Sequence, residues 1–166
     1  MKEVRIGAEV KDVITKAKGI VIGKANFLYG CVRVCVQPPM DKDGKVPDSI
    51  WVDEEQLEET TKKIVQPAPL HTHEFKVGDL AKDIITGKKG IVTCICCWFG
   101  GSVRIFVQEQ KVKVGEKPVE LEADTHRFKL IKSQVIKRQV PVAEKKKKAK
   151  PPAGPREDSK RSSKSM

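Results

Sequence analysis

Apolar and polar residues alternate with period two along the clearest stretches of this chain. In "CVRVCVQ", Val32, Val34 and Val36 face one way while Arg33, Cys35 and Gln37 face the other. In "SVRIFVQ", Val103, Ile105 and Val107 repeat the pattern against Arg104, Phe106 and Gln108, and in "SIWVDE" Ile50 and Val52 oppose Trp51 and Asp53. Such alternation is the pattern of a strand with one face in a core. Turn chemistry separates the runs: "TKAKG" and "TGKKG", "YG" and "GG", "DKDGKVPD" and "VKVGEKPV" supply the Gly, Pro and Asp that turns require. No window carries an apolar stripe at helical spacing. The pattern predicts four or five short antiparallel strands, at roughly 7–15, 19–28, 31–38, 49–53 and 60–65, and the same set again further on.

The second set is a near copy of the first. "KDVITKAKGIV" starts at Lys11 and "KDIITGKKGIV" at Lys82, an offset of 71. Aligned at that offset without a gap, residues 7–58 and 78–129 share 18 identities over 52 pairs. Lys11/Lys82, Asp12/Asp83, Thr15/Thr86, Gly19/Gly90, Gly30/Gly101, Arg33/Arg104 and Gln37/Gln108 are among them. An internal repeat organises the whole chain. Each copy is about 60 residues, near the lower limit for one self-supporting core, so the two copies are expected to lean on each other. The expected order is repeat 1 at 1–66, a linker at 67–76, repeat 2 at 77–136 and a tail at 137–166.

Small all-β units of this length commonly close into barrels, which removes their edges. "GDLAKDIITGKKGIV", with its strand, Gly-bearing turn and "GIV" restart, resembles the opening of an SH3-like barrel of the KOW or Tudor kind. The fold expected is therefore all-β: two tandem SH3-like small barrels from an internal duplication, plus a disordered basic C-terminal tail. "GCVRVCVQPPMDKDGKVPDSIWVDEEQL" further resembles small proteins of tailed phages and prophages, through Gly30, Cys31, Val36, Gln37, Pro38, Trp51, Asp53 and Glu54. The second copy departs from that pattern, with Ser102, Glu109 and Glu122 in place of Cys31, Pro38 and Trp51. The resemblance implies a phage setting and brings no reaction with it.

Charge changes the picture once it is located. The formal charge is +11. Residues 137–166 hold 11 bases and 3 acids, or +8, which leaves the body with 22 bases and 19 acids, or +3. The tail, rich in Lys, Pro and Ser and without an aromatic residue, buries too little apolar surface to offset its ordering entropy and is expected to be disordered. No stretch reaches the ~20 apolar residues of a membrane span, and "MKEVRIGAEVKD" lacks the apolar stretch of a signal peptide. A cytoplasmic location is expected, that of the bacterial host if the chain is phage-encoded.

Five cysteines, Cys31, Cys35, Cys94, Cys96 and Cys97, fall at positions that the copies do not share, without the paired spacing of a structural zinc site. They read as reduced packing residues, and neither metal nor cofactor is expected. Asp12 and Asp83 precede turns with Thr15 and Thr86, where a short carboxylate satisfies local N–H groups. No nucleophile elbow, phosphate-cradling loop or shared His is present, so an enzyme is not expected.

The outward residues of the third and fourth strands are the recognition candidates, because Trp and Arg dominate binding hot spots. They are Arg33, Gln37, Trp51 and Asp53 in the first copy and Arg104 and Gln108 in the second, where Phe106 and Trp98, the latter at the end of the preceding strand, extend the same surface. An inter-barrel interface, or a surface Arg–Asp pair over an aromatic cover, would use the same residues. In the tail, Lys145, Lys146, Lys147, Lys148, Lys150, Lys160, Arg161 and Lys164 are placed to neutralise nucleic-acid phosphates or simply to solubilise. The leading expectation is a non-enzymatic binding protein contacting nucleic acid or a nucleic-acid-bound host machine. Other readings are a counter-defence or host-takeover factor capturing a host protein or small signalling ligand on the barrel face, and a virion accessory protein.

Overall fold

The structure of the chain, a computed structural model, describes residues 3–138, without side chains for 61–63. It is all-β, and every strand pairing is antiparallel. The first five strands are β1 (Ala8–Asp12), β2 (Lys18–Phe27), β3 (Val32–Gln37), β4 (Ile50–Asp53) and β5 (Leu57–Ile64). The second five are β6 (Leu80–Asp83), β7 (Lys89–Trp98), β8 (Val103–Glu109), β9 (Glu120–Asp124) and β10 (Phe128–Lys132). A single 3-10 turn joins β4 to β5 at Glu54–Gln56, and another joins β9 to β10 at Thr125–Arg127. Within each set the pairing runs β4-β3-β2-β1-β5 and β9-β8-β7-β6-β10. Elements of the two sets lie 71 positions apart, as Lys18–Phe27 and Lys89–Trp98 do.

The turn after β1 has the chemistry its sequence implies. Asp12 accepts from the Ile14 N–H and the Thr15 hydroxyl, both at 2.8 Å. Asp83 accepts from the Ile85 N–H and the Thr86 hydroxyl. Arg127 adds a bidentate pair to Asp83, Nε and Nη2 each at 3.0 Å. Position 56, its counterpart, is Gln, so the first unit lacks that clamp.

Alternation fills two cores. Val10, Val21, Val34 and Val36 meet Val4 in the first unit, with Ile6 and Leu57 at its margin. The second is larger, with Phe75, Val77, Ile91, Val92, Ile105 and Phe128 among its members. Leu28, from the end of β2, is buried in this second core. One position of β2 departs from the apolar pattern: Lys24, where the second unit has Ile95. Lys24 is buried, and its ammonium lies 2.8 Å from both Glu3 Oε1 and Glu54 Oε1. Burial alone would lower its pKa, but the two carboxylates outweigh that and raise it.

The two sets form one ten-stranded sheet. β2 pairs with β1 only over Lys18–Ile20, then runs past it and pairs with β7: Gly23 opposite Trp98, Ala25 opposite Cys96, Phe27 opposite Cys94. Reciprocal bonds flank the seam, the Leu28 N–H donating to Thr93 O and the Phe99 N–H to Ile22 O, each at 2.8 Å. Those two bonds exchange under the 71-residue offset, so the seam is closely two-fold in character. Among the described residues no helix is long and apolar enough to cross a membrane.

A candidate partner-binding face across the seam

Because β2 and β7 pair directly, β4, β3, β2, β7, β8 and β9 lie side by side. Residues opposite one another in such a sheet point to the same side. The central row is Asp53–Arg33–Ala25–Cys96–Arg104–Asp124. Two further rows flank it, Trp51–Cys35–Gly23–Trp98 and Phe27–Cys94–Phe106–Glu122. Arg33, Trp51, Asp53, Trp98, Arg104 and Phe106, all recognition candidates from the sequence, therefore share one face that spans both units.

Aromatic rings cover the middle of this face. Trp98 lies over Gly23, where an added Cβ would come within 2.8 Å of the indole ring. Only glycine leaves the ring that space. Trp51 meets Trp98 edge to face, with centroids 5.6 Å apart and planes at 80°, a favoured aromatic geometry. Beneath, Ala25, Cys94 and Cys96 are buried against Phe27, Trp98 and Phe106. Cys35 is also buried, although its alternation places it opposite to the core of its own unit. Cys97 points the other way, against the second core. Burial drives the thiols of Cys94 and Cys96 up to about 12, so they remain protonated and weakly nucleophilic.

Both arginines of the face are already matched by carboxylates. Arg33 Nε lies 3.3 Å from Asp53 Oδ1, and its Nη2 donates to Trp51 O at 3.0 Å. Arg104 Nη1 is 2.7 Å from Glu122 Oε1, and its Nε is 3.9 Å from Asp124 Oδ1. Trp51 and both arginines keep over a third of their surface open to solvent. Gln37 and Gln108 sit at the far ends of β3 and β8. Gln37 Nε2 donates to Pro38 O and Pro47 O, at 3.2 and 2.7 Å, and so ties down the loop before β4. Gln108 lies opposite Glu120. The tail residues Lys145, Lys146, Lys147, Lys148, Lys150, Lys160, Arg161 and Lys164 lie outside the described residues.

Sequence reasoning missed two features. The tips of the β1–β2 and β6–β7 turns expose Ile14 and Ile85, 67% and 72% open, among lysines. Their signal was available, since Ile14 and Ile85 are identical in the two copies without any core to explain them. The other is Asp79, fully buried, whose carboxylate accepts from the Lys76 N–H, the Gln134 N–H and the Ser133 hydroxyl. Ala8 occupies the matching place, so comparison of the copies gave no sign of it.

Among the described residues no group of three or more His, Cys, Asp or Glu side chains is placed to hold a metal. Comparison with family models, curated proteins and solved structures finds no match.

Proposed function

We propose that the protein is a non-enzymatic adaptor, in which the six-strand face docks on a protein of a nucleic-acid-bound host machine and the Lys-rich tail contacts the nucleic acid. In this reading each five-strand set is an SH3-like barrel of the KOW or Tudor kind. The strand order and the 3-10 turn before the last strand support that assignment. The resemblance of residues 30–57 to phage proteins supports a phage origin and a bacterial cytoplasm as the place of action.

The observation that carries the division of labour is the pairing of Arg33 with Asp53 and of Arg104 with Glu122. A face whose guanidinium groups already have carboxylate partners offers little free positive charge to phosphates. What it offers is aromatic surface with a satisfied polar rim, the composition of a protein interface. Phosphate contact then falls to residues 137–166, which carry +8 of the +11 charge. That contact is weakly sequence-selective and steeply salt-dependent.

The test is a pull-down from bacterial lysate with and without nuclease, combined with gel-shift titration. Replacing Lys145, Lys146, Lys147 and Lys148 by Ala is expected to abolish most nucleic-acid binding and leave a nuclease-resistant protein partner in place. Arg33→Ala with Trp51→Ala is expected to do the reverse. If instead Arg33→Ala or Arg104→Ala destroys tight binding to a defined sequence by a protein lacking its tail, the sheet face reads nucleic acid and the assignment is wrong.

A further inference from the structure

The β1–β2 and β6–β7 turns are built alike. The Asp12 N–H donates to Ala17 O and the Lys16 N–H to Asp12 O, both at 2.9 Å. In the second unit the Asp83 N–H donates to Lys88 O at 2.8 Å and the Gly87 N–H to Asp83 O at 2.9 Å. The Val13 N–H donates to Gln56 O at 2.9 Å and the Ile84 N–H to Arg127 O at 3.0 Å, so each turn is braced by the 3-10 segment beside it. The Thr15 and Thr86 hydroxyls accept from the Ala17 and Lys88 N–H groups, each at 3.3 Å, while donating to the Asp carboxylates. Asp and Thr are thus turned onto the backbone of the turn itself. The aliphatic side chains are left at the apex: Ile14 and Ile85, with Val13 and Ile84 beside them, 37% and 61% open.

Lysines collar both apices. They are Lys11, Lys16 and Lys18 in the first copy and Lys82, Lys88 and Lys89 in the second. Lys16–Ala17 in one copy answers to Gly87–Lys88 in the other, so the charge persists although its position has moved by one residue. The second collar is the stronger. Lys82 stands opposite Lys129 on β10, whereas Lys11 stands opposite Glu58 on β5. Lys16 also folds its ammonium back onto Val13 O.

Three classes of partner make different demands on such a tip. Single-stranded bases are gripped by aromatic stacking, and base edges are read by Arg, Asn or Gln; residues 13–18 and 84–89 hold none of these. Interfaces between proteins are depleted in Lys. Aliphatic groups ringed by ammonium groups match the boundary of an anionic bilayer, where the apolar part enters below the headgroups and the lysines meet lipid phosphates.

We propose that the β6–β7 turn is a contact site for an anionic lipid surface. Ile84 and Ile85 enter the headgroup region while Lys82, Lys88, Lys89 and Lys129 face its phosphates. The β1–β2 turn is a second, weaker contact. β2 and β7 are antiparallel, so the two tips stand at opposite ends of the seam rather than forming one patch. Because both turns are already fixed by their own hydrogen bonds, little ordering is needed on contact. The site is separate from the sheet face and holds whatever partner that face takes.

Co-sedimentation of the full chain with phosphatidylcholine vesicles, with and without phosphatidylglycerol, tests it. The native chain is expected to bind the anionic vesicles at least ~10-fold more tightly than the neutral ones. Ile84→Ser with Ile85→Ser keeps every charge, those of residues 137–166 included, and is expected to weaken that binding at least ~10-fold. Ile14→Ser is expected to cost less. Val46 is 70% exposed in a loop with Asp41, Asp43 and Asp48, and Val46→Ser is expected to leave binding within ~2-fold of native. Anionic-vesicle binding that is undiminished in the Ile84/Ile85 pair would assign it to the tail lysines and overturn the proposal. So would a native chain that ignores the vesicles, or a serine pair that loses nucleic acid in a gel shift and keeps the vesicles.

Discussion

Replacing Lys24 by Met keeps an aliphatic stem in the first unit's β2 and removes the charge. Lys24 touches two carboxylates of very different exposure. Glu3 is 82% exposed and Glu54 only 19%. Freed from Lys24, Glu3 returns to water at little cost, so its share is that of a surface pair, below about 1 kcal/mol. Glu54 keeps one bond, from the Val4 N–H at 2.9 Å, and loses a charge-assisted one worth about 1.5–3 kcal/mol. Lys24→Met is therefore expected to cost about 2 kcal/mol, and Glu3→Gln less than about 0.5 kcal/mol. Urea unfolding at neutral pH reads both as shifts in midpoint at constant slope. A double-mutant cycle of Lys24→Met with Glu54→Gln is expected to show coupling of about 1–2 kcal/mol, since the two groups touch. The interaction is fully present below the unfolded lysine value and is lost as pH rises through the raised folded one. Coupling to Glu54 below about 0.3 kcal/mol, or greater coupling to Glu3 than to Glu54, would refute the assignment of the energy to the buried partner.

Other expectations follow from the same contacts. Calorimetry of the full chain is expected to show one transition, because Leu28 is buried in the second core and β2 pairs with β7; two well-separated transitions would contradict this. Arg127, then Thr86 and the turn N–H groups, hold the Asp83 carboxylate well below its usual range against the opposing effect of burial. The stability gained is present above the unfolded carboxylate value, near 3.9, and is lost as pH falls through the folded one. Arg127→Gln is thus expected to lower Tm most at neutral pH, with the gap to the native protein shrinking in acid; a pH-independent gap would refute it. Cys31, exposed, is expected to react with a thiol reagent at pH 8 while Cys94 and Cys96 stay inert in the folded chain. Rapid labelling of all five without unfolding would show that the seam opens.

Strand existence was legible because each inward position of β3, β4 and β8 bears a Val or Ile and each turn bears its Gly or Pro. The boundaries were close as well, although β5 starts at Leu57, earlier than expected, because the 3-10 turn at Glu54–Gln56 needs only three residues. The parity of β3 and β8 also placed Arg33, Trp51, Arg104 and Phe106 on the outward side. What the pattern did not show is that "outward" in both units means the same continuous surface. Periodicity reports which residues of one strand share a side. It carries no record of which strand comes next, and the seam joins residues about 70 positions apart. The run "TCICCW" is apolar on both sides of β7 because one side packs in a core and the other under the aromatic cover; sequence alone showed only a greasy stretch. Lys24 and Asp79 stayed hidden for a related reason. Each is a charged residue inside one unit whose counterpart, Ile95 or Ala8, is apolar, and it draws partners from segments far along the chain, Glu3 and Glu54 for Lys24 and Ser133 and Gln134 for Asp79.

The departures from two-fold symmetry give the sheet face a direction. Under the offset, Trp51 exchanges with Glu122 and Cys35 with Phe106, so one end of the face terminates in an indole and the other in a carboxylate. A surface with two equivalent halves could be engaged either way round with the same result. In the docking proposed above, a half-turn would set an apolar patch that matches Trp51 against Glu122 instead. The backbone repeats, but the chemistry along it reads in one sense only, like a key whose blade is cut on a symmetric blank.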